Sequence, residues 1–128
     1  MIDLLAQELG CKLAKRKFDL PNGRRLEIDA GSRKPPVVCE AWAHQGPPKS
    51  AQKNKVMADA LKLVYVASIL DSRTRKILLF ADQEAARPFR GGTWMAEALA
   101  ALKVEVRVVP LPEEIRTRIR KAQERQYR

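Results

Sequence analysis

At 128 residues the chain is long enough for one domain with a real hydrophobic core and too short for two independent ones. Its 45% hydrophobic and 31% charged residues exclude a disordered chain, and no apolar run approaches the ~20 residues that cross a bilayer. The net charge of +10, from 25 Lys and Arg against 15 Asp and Glu, favours a polyanionic partner, because counterions released from a phosphate backbone drive association.

Cys11 and Cys39 are too few for a disulfide framework, and with His44 as the single histidine they cannot complete a four-ligand zinc site. No basic stretch followed by an apolar one opens the chain, so the expected location is cytoplasmic, away from any membrane.

In chain order, Ile2, Leu5, Ala6, Leu9 and Leu13 share one face of a helix predicted over 2–15, with Glu8 at the edge of the apolar stripe. Pro21-Asn22-Gly23 is a turn signal between the hairpin arms 17–20 and 24–30. Strict alternation in the second arm puts Leu26, Ile28 and Ala30 on one face and Glu27 and Asp29 on the other. Residues 31–36 read as a loop carrying Arg33 and Lys34, followed by a third strand over 37–43 in which Val38, Glu40 and Trp42 share a face.

After the break at Gly46-Pro47-Pro48, a long helix is predicted over 51–70. Met57, Leu61, Val64, Tyr65 and Ser68 mark its inner face, and Gln52, Lys55, Asp59 and Lys62 form a separate polar stripe. The ILLF run within 75–81 suits a strand covered on both sides, and Asp82-Gln83-Glu84 behind it reads as a loop start or helix cap. A helix over 93–103, a strand over 104–109 and a basic helix from Pro112 complete the chain. The order α-β-β-β-α-β-α-β plus a C-terminal basic helix predicts an α/β fold, a mixed central sheet flanked by helices. Residues 1–111 form the domain, and 112–128 a helix packed on it or extending from it.

The chemistry concentrates in Asp29 and Glu40, eleven residues apart on neighbouring strands of an otherwise basic chain. Two carboxylates so placed can share a divalent cation. This order, with an acid on the second strand and an acid on the third, resembles the PD-(D/E)XK superfamily of restriction-endonuclease-like nucleases over about residues 2–109.

The resemblance implies a restriction-endonuclease-like fold that hydrolyses phosphodiester bonds in DNA with Mg²⁺ or Mn²⁺. Asp29 and Glu40 would be the metal ligands, Glu8 the acid from the first helix, and a lysine would position the attacking water. Trp42 stands where the family has that lysine, and no proline precedes Asp29. Some members carry the lysine on the helix after the third strand, which makes Lys55 the expected third catalytic residue, with Lys53 and then Lys49 as alternatives. Gln52-x-x-Lys55 is similar to a glutamine-bearing helix motif of one branch of that superfamily.

Arg33, Lys34, Lys49, Gln52 and Lys53 are the expected substrate-binding residues, meeting phosphates without reading sequence. A chain of this length has no room for a recognition domain, so specificity would come from a homodimer, a partner subunit or substrate shape. The alternative is a catalytically inactive module of the same fold that binds nucleic acid or a partner protein. Plainer roles stay open residue by residue: a strand end for Asp29, a structural ion pair for Glu40, a solvated helix position for Glu8, and a Lys55–Asp59 surface pair. Trp42 has core packing open to it and His44 a loop position.

Overall fold

In the computed structural model, which describes residues 1–126, the first helix, α1 (Ile2–Leu9), stops where Gly10 adopts the left-handed conformation at φ 67°. The helix predicted through 15 is therefore shorter, and the next residues enter strand β1 (Ala14–Asp19). The Pro21-Asn22-Gly23 turn delivers the chain into β2 (Arg25–Arg33), as expected. Strand β2 then continues through the predicted loop, pairing Arg33 with Pro36, so Lys34 and Pro35 alone make the turn into β3 (Pro36–Trp42).

Helix α2 (Ser50–Ser68) crosses back, followed by β4 (Arg75–Phe80), α3 (Gln83–Arg90), α4 (Trp94–Ala101), β5 (Val104–Val108) and α5 (Glu113–Gln126). Residues 127 and 128, the end of the predicted basic helix, lie outside the described residues. Helix α3 was not foreseen. Its sequence is polar and contains Pro88, and it is started by Asp82, whose side chain accepts from Ala85 N–H.

The five strands lie in the order β1-β2-β3-β4-β5, with β1, β2 and β3 antiparallel and β3, β4 and β5 parallel. The mixed sheet is covered on both faces. Val38, Trp42, Leu78 and Phe80 pack under α2, α3 and α4, whereas Val37, Cys39, Ile77 and Leu79 pack against Leu5 of α1. Among the described residues no helix is long and apolar enough to cross a membrane.

One irregularity decides where the acids go. Arg16 pairs with Ile28 and Ala14 with Gly31, so β2 spends three residues where β1 spends two. The extra residue resets the alternation: Ile28 belongs to the core under α2 and Ala30 to the core under α1. The expectation that Leu26, Ile28 and Ala30 share a face is thereby corrected. Gly31 follows this reset in a crowded position, where a Cβ would lie 2.8 Å from the Arg16 side chain and 3.0 Å from the Val37 carbonyl oxygen. Gly31→Val is expected to cost about 2 kcal/mol in urea unfolding, by overpacking the β1–β2–β3 contact.

The orientation of α2 also differs from expectation. Val56, Ala60, Leu63, Val66 and Ala67 are buried against the sheet, while Leu61 and Tyr65 are 66% and 43% exposed. The helix is apolar around more than half its circumference, so periodicity fitted two stripes. The stripe containing Ala60 and Ala67 wins because small side chains let the helix approach β3 and β4 closely.

Candidate active site

The reset in β2 leaves Asp29 at the point where two strands part. The ladder between β2 and β3 reaches only the Ala30–Cys39 pair. Beyond it, Ala41 N–H has no carbonyl opposite, and the Asp29 carboxylate accepts it at 2.8 Å. Asp29 is thus held beside β3 and remains exposed, next to the buried Glu40, which is 5% exposed.

Helix α2 runs back antiparallel to β3, and this sets two rows against each other. Along β3 and its continuation, Glu40, Trp42 and His44 point toward α2, with the Trp42 and His44 rings stacked at 4.4 Å. Along α2 the facing row is Lys62, Asp59 and Lys55. The spans match: four extended residues cover ~13 Å and seven helical residues ~10.5 Å. At one end the Lys62 ammonium lies 2.9 Å from Glu40 Oε1 and donates to the Glu27 carbonyl oxygen at 2.9 Å. At the other end the Lys55 charge acts on His44.

Burial pushes the Glu40 carboxyl up; the Lys62 ammonium opposes this and the neighbouring Asp29 carboxylate adds to it, leaving Glu40 at about 7. The Lys62 ammonium lies within hydrogen-bonding distance of the buried Glu40 Oε1, so the two form a close ion pair. Burial, and then the Lys55 charge, lower the pKa of His44, which favours the neutral imidazole. The indole Nε1 of Trp42 and Nδ1 of His44 are buried without a hydrogen-bond partner among the described residues. Cys39 beneath this site is pushed up to about 12 by burial and by the Asp29 and Glu40 charges, which makes it an inert core thiol.

The expected set is therefore brought together only in part. Asp29 and Glu40 converge. Lys55, expected in the lysine role, has a side chain 65% exposed and pairs with Asp59 at 3.6 Å; the amine that reaches Glu40 is Lys62, two turns further on. Lys62 stood on the predicted polar stripe, and the antiparallel run of α2 over β3 was the signal that selects it.

Glu8, expected as a third metal ligand, instead pairs with Arg107 of β5 at 2.9 Å, and α1 packs on the opposite face of the sheet from Glu40. Among the described residues no group of three or more His, Cys, Asp or Glu converges to hold a metal ion.

The expected substrate-binding residues divide between two ends of the sheet. Lys49 and Gln52 start α2, where the Lys49 N–H donates to Gln52 Oε1 at 2.8 Å. With Gln45, Gly46, Arg120 and Gln123 they line a groove of about 430 Å³, and Lys53 follows half-buried on the same turn. Arg33 and Lys34 lie at the β2–β3 turn, about four strand residues or ~13 Å from Glu40 and away from that groove. Arg73 and Arg75, near the start of β4, are engaged by Asp71 at 2.8 Å and Glu105 at 2.6 Å.

Sequence reasoning missed how α5 joins this groove. Gln123 accepts from Gln45 N–H at 2.8 Å and donates to the Gln45 carbonyl oxygen at 2.9 Å. Arg116 bonds Gln45 Oε1 at 2.9 Å and the buried Asp82 at 3.2 Å. These polar bonds fix the basic helix beside the start of α2, although α5 buries no side chain of its own. No family model, curated protein or solved structure matches this chain.

Proposed function

We propose that this protein is a Mg²⁺- or Mn²⁺-dependent nuclease of the PD-(D/E)XK type that hydrolyses phosphodiester bonds in DNA. The observation that carries the reading is the meeting of Asp29, Glu40 and Lys62 at the parting of β2 and β3. Two carboxylates crowded together, one of them raised to about 7, are a donor set whose repulsion a divalent cation relieves. Mg²⁺ commonly takes one or two protein carboxylates and completes its shell with water and phosphate, so a third protein acid is not required. When bound, the cation supplies Lewis acidity toward the phosphate and lowers the pKa of a water.

The chain's own groups do the rest. Asp29 is oriented by Ala41 N–H, so its carboxylate is fixed without reorganisation. Lys62, braced by the Glu27 carbonyl, presents an ammonium where charge grows on the phosphate in the transition state. Lys49, Lys53 and Arg120, in or beside the groove at the start of α2, take flanking phosphates with the help of the helix dipole.

A second reading, a binding module without catalysis, draws on the Lys62–Glu40 contact, which already compensates part of the buried charge. One experiment separates the two. Supercoiled plasmid and branched DNA are incubated with the protein in Mg²⁺, in Mn²⁺ and in chelator. Conversion to open or linear forms in metal alone supports the nuclease. Salt-sensitive binding with no conversion in either metal supports the module, and neither binding nor cleavage defeats both.

A further inference from the structure

The β2–β3 turn and the loop that follows α2 border a cavity of about 260 Å³ that takes no part in the proposed cleavage. It lies beyond the end of α2, at Leu70, whereas the groove beside α5 lies at the start of that helix.

Two of the residues lining the cavity are Arg16 and Arg33. Arg16 is half-buried and held from two sides. Its guanidinium stacks over the Phe18 ring at 4.7 Å, and its side chain lies against Gly31, where a Cβ would come within 2.8 Å of it. Stacking occupies the face of the guanidinium and leaves the N–H donors in its plane for an acceptor.

Among the described residues neither arginine meets a carboxylate. Asp71 is the one acid among the described residues lining the cavity, and Arg73 takes both of its oxygens, at 3.1 and 2.8 Å. The last carbonyls of α2 are also engaged, Val66 by the Ile69 N–H and Ala67 by the Leu70 N–H. Burial, and then the Arg33 charge, lower the pKa of Arg16. Two guanidiniums brought together in this way repel, and an anion between them relieves the repulsion.

The chemistry of that anion follows from the two forks. A phosphate group has oxygens enough to accept from both at once, in the bidentate geometry that arginine favours. Two positive charges match the dianion of a phosphomonoester better than the single charge of a backbone phosphodiester. Ser32, whose hydroxyl makes no hydrogen bond among the described residues, adds a neutral donor to the lining. The volume falls short of the ~300–1,000 Å³ of pockets that enclose a drug-sized ligand, so the cavity takes the phosphate and leaves the rest of the molecule outside.

We propose that Arg16 and Arg33 form a binding site for the phosphate of a phosphomonoester, at the end of the sheet opposite the groove between α2 and α5. Free phosphate and the terminal phosphate of a nucleic acid strand present the same group. The site uses neither Asp29 nor Glu40, so it does not depend on the nuclease reading.

Titration calorimetry of the full chain in metal-free buffer tests it, with inorganic phosphate and with a short oligonucleotide bearing a 5′-phosphate or a 5′-hydroxyl. Saturable binding of inorganic phosphate is expected, weakened at least about 10-fold in Arg16→Gln and in Arg33→Gln. Arg118→Gln, exposed on α5, removes the same charge and should bind phosphate as wild type does. That control separates a site from the general attraction of a +10 chain for anions. Arg33→Lys keeps the charge, loses the planar fork and should fall between wild type and Arg33→Gln. If Arg16→Gln disturbs the packing on Phe18, Arg33→Gln on the exposed turn decides alone.

The oligonucleotides identify the source of the phosphate. A strand end as ligand gives at least about 10-fold tighter binding with the 5′-phosphate than with the 5′-hydroxyl, a gain lost in both glutamine variants. A small phosphate as ligand gives binding of inorganic phosphate without that gain. Absence of saturable phosphate binding in wild type overturns the proposal. So does phosphate binding that survives Arg33→Gln, or that Arg118→Gln weakens equally.

Discussion

Lys62→Met is expected to slow metal-dependent DNA cleavage by about 100- to 1000-fold in single-turnover assays, with Lys55→Met within about threefold of wild type. The contrast follows from geometry. Lys62 is 26% exposed and lies 2.9 Å from Glu40, with its ammonium held by the Glu27 carbonyl; Lys55 is 65% exposed and its neighbour is Asp59. An ammonium fixed beside the carboxylates stabilises transition-state charge without reorganising, whereas a mobile surface amine mostly contributes to binding. Asp29→Asn and Glu40→Gln should reduce the rate to background, since each removes one of the two anionic donors. Lys62→Arg keeps the charge but not the compact shape, and should fall between wild type and Lys62→Met. Equal losses for Lys55→Met and Lys62→Met, or more than about a tenth of the activity left in Lys62→Met, would refute the assignment of Lys62.

The two acids were legible in the sequence while their partner was not, and the reason is physical. Strand faces are local, so a two-residue period found Glu40 among Val38 and Trp42, and the Pro21-Asn22-Gly23 turn fixed the hairpin before Asp29. The step that joins the acids is not local. With strict alternation Asp29 would stand on the face of the sheet opposite Glu40; the extra residue in β2 turns it back, and nothing in RLEIDA marks that residue.

The choice between Lys55 and Lys62 likewise depends on how α2 lies over β3. That is decided by which of two apolar stripes packs more closely, a tertiary property invisible to periodicity. The same ambiguity hid the exposed face. Leu61, Tyr65 and Ser68, expected to point inward, are exposed. Glu8 failed for a related reason: its position on α1 was read correctly, but α1 packs on the other face of the sheet.

The buried Glu40 also ties stability to pH with a sign opposite to that of most paired acids. In the folded chain its carboxyl sits at about 7, against 4.5 in the unfolded chain. Between those values the folded state keeps a proton that the unfolded state has released. The contribution is therefore fully favourable below pH 4.5, declines as pH rises toward 7, and above 7 has reached its lower limit.

His44 acts in the reverse sense, because its lowered pKa makes the folded state the poorer proton binder just below 6.5. The informative quantity is therefore the difference between wild type and Glu40→Gln, measured by urea unfolding in chelator from pH 5 to 8. The glutamine variant should lack the decline and gain on wild type as pH rises, less whatever Lys62 loses with its partner. Lys62→Met should extend the decline to higher pH, since the ammonium is what holds Glu40 down.

A divalent cation that binds the charged form should oppose the decline, stabilising the protein more at pH 8 than at pH 6. If wild type and Glu40→Gln run parallel across the whole range, Glu40 is ionised throughout. The repulsion between Asp29 and Glu40 that a cation would relieve is then already compensated within the chain.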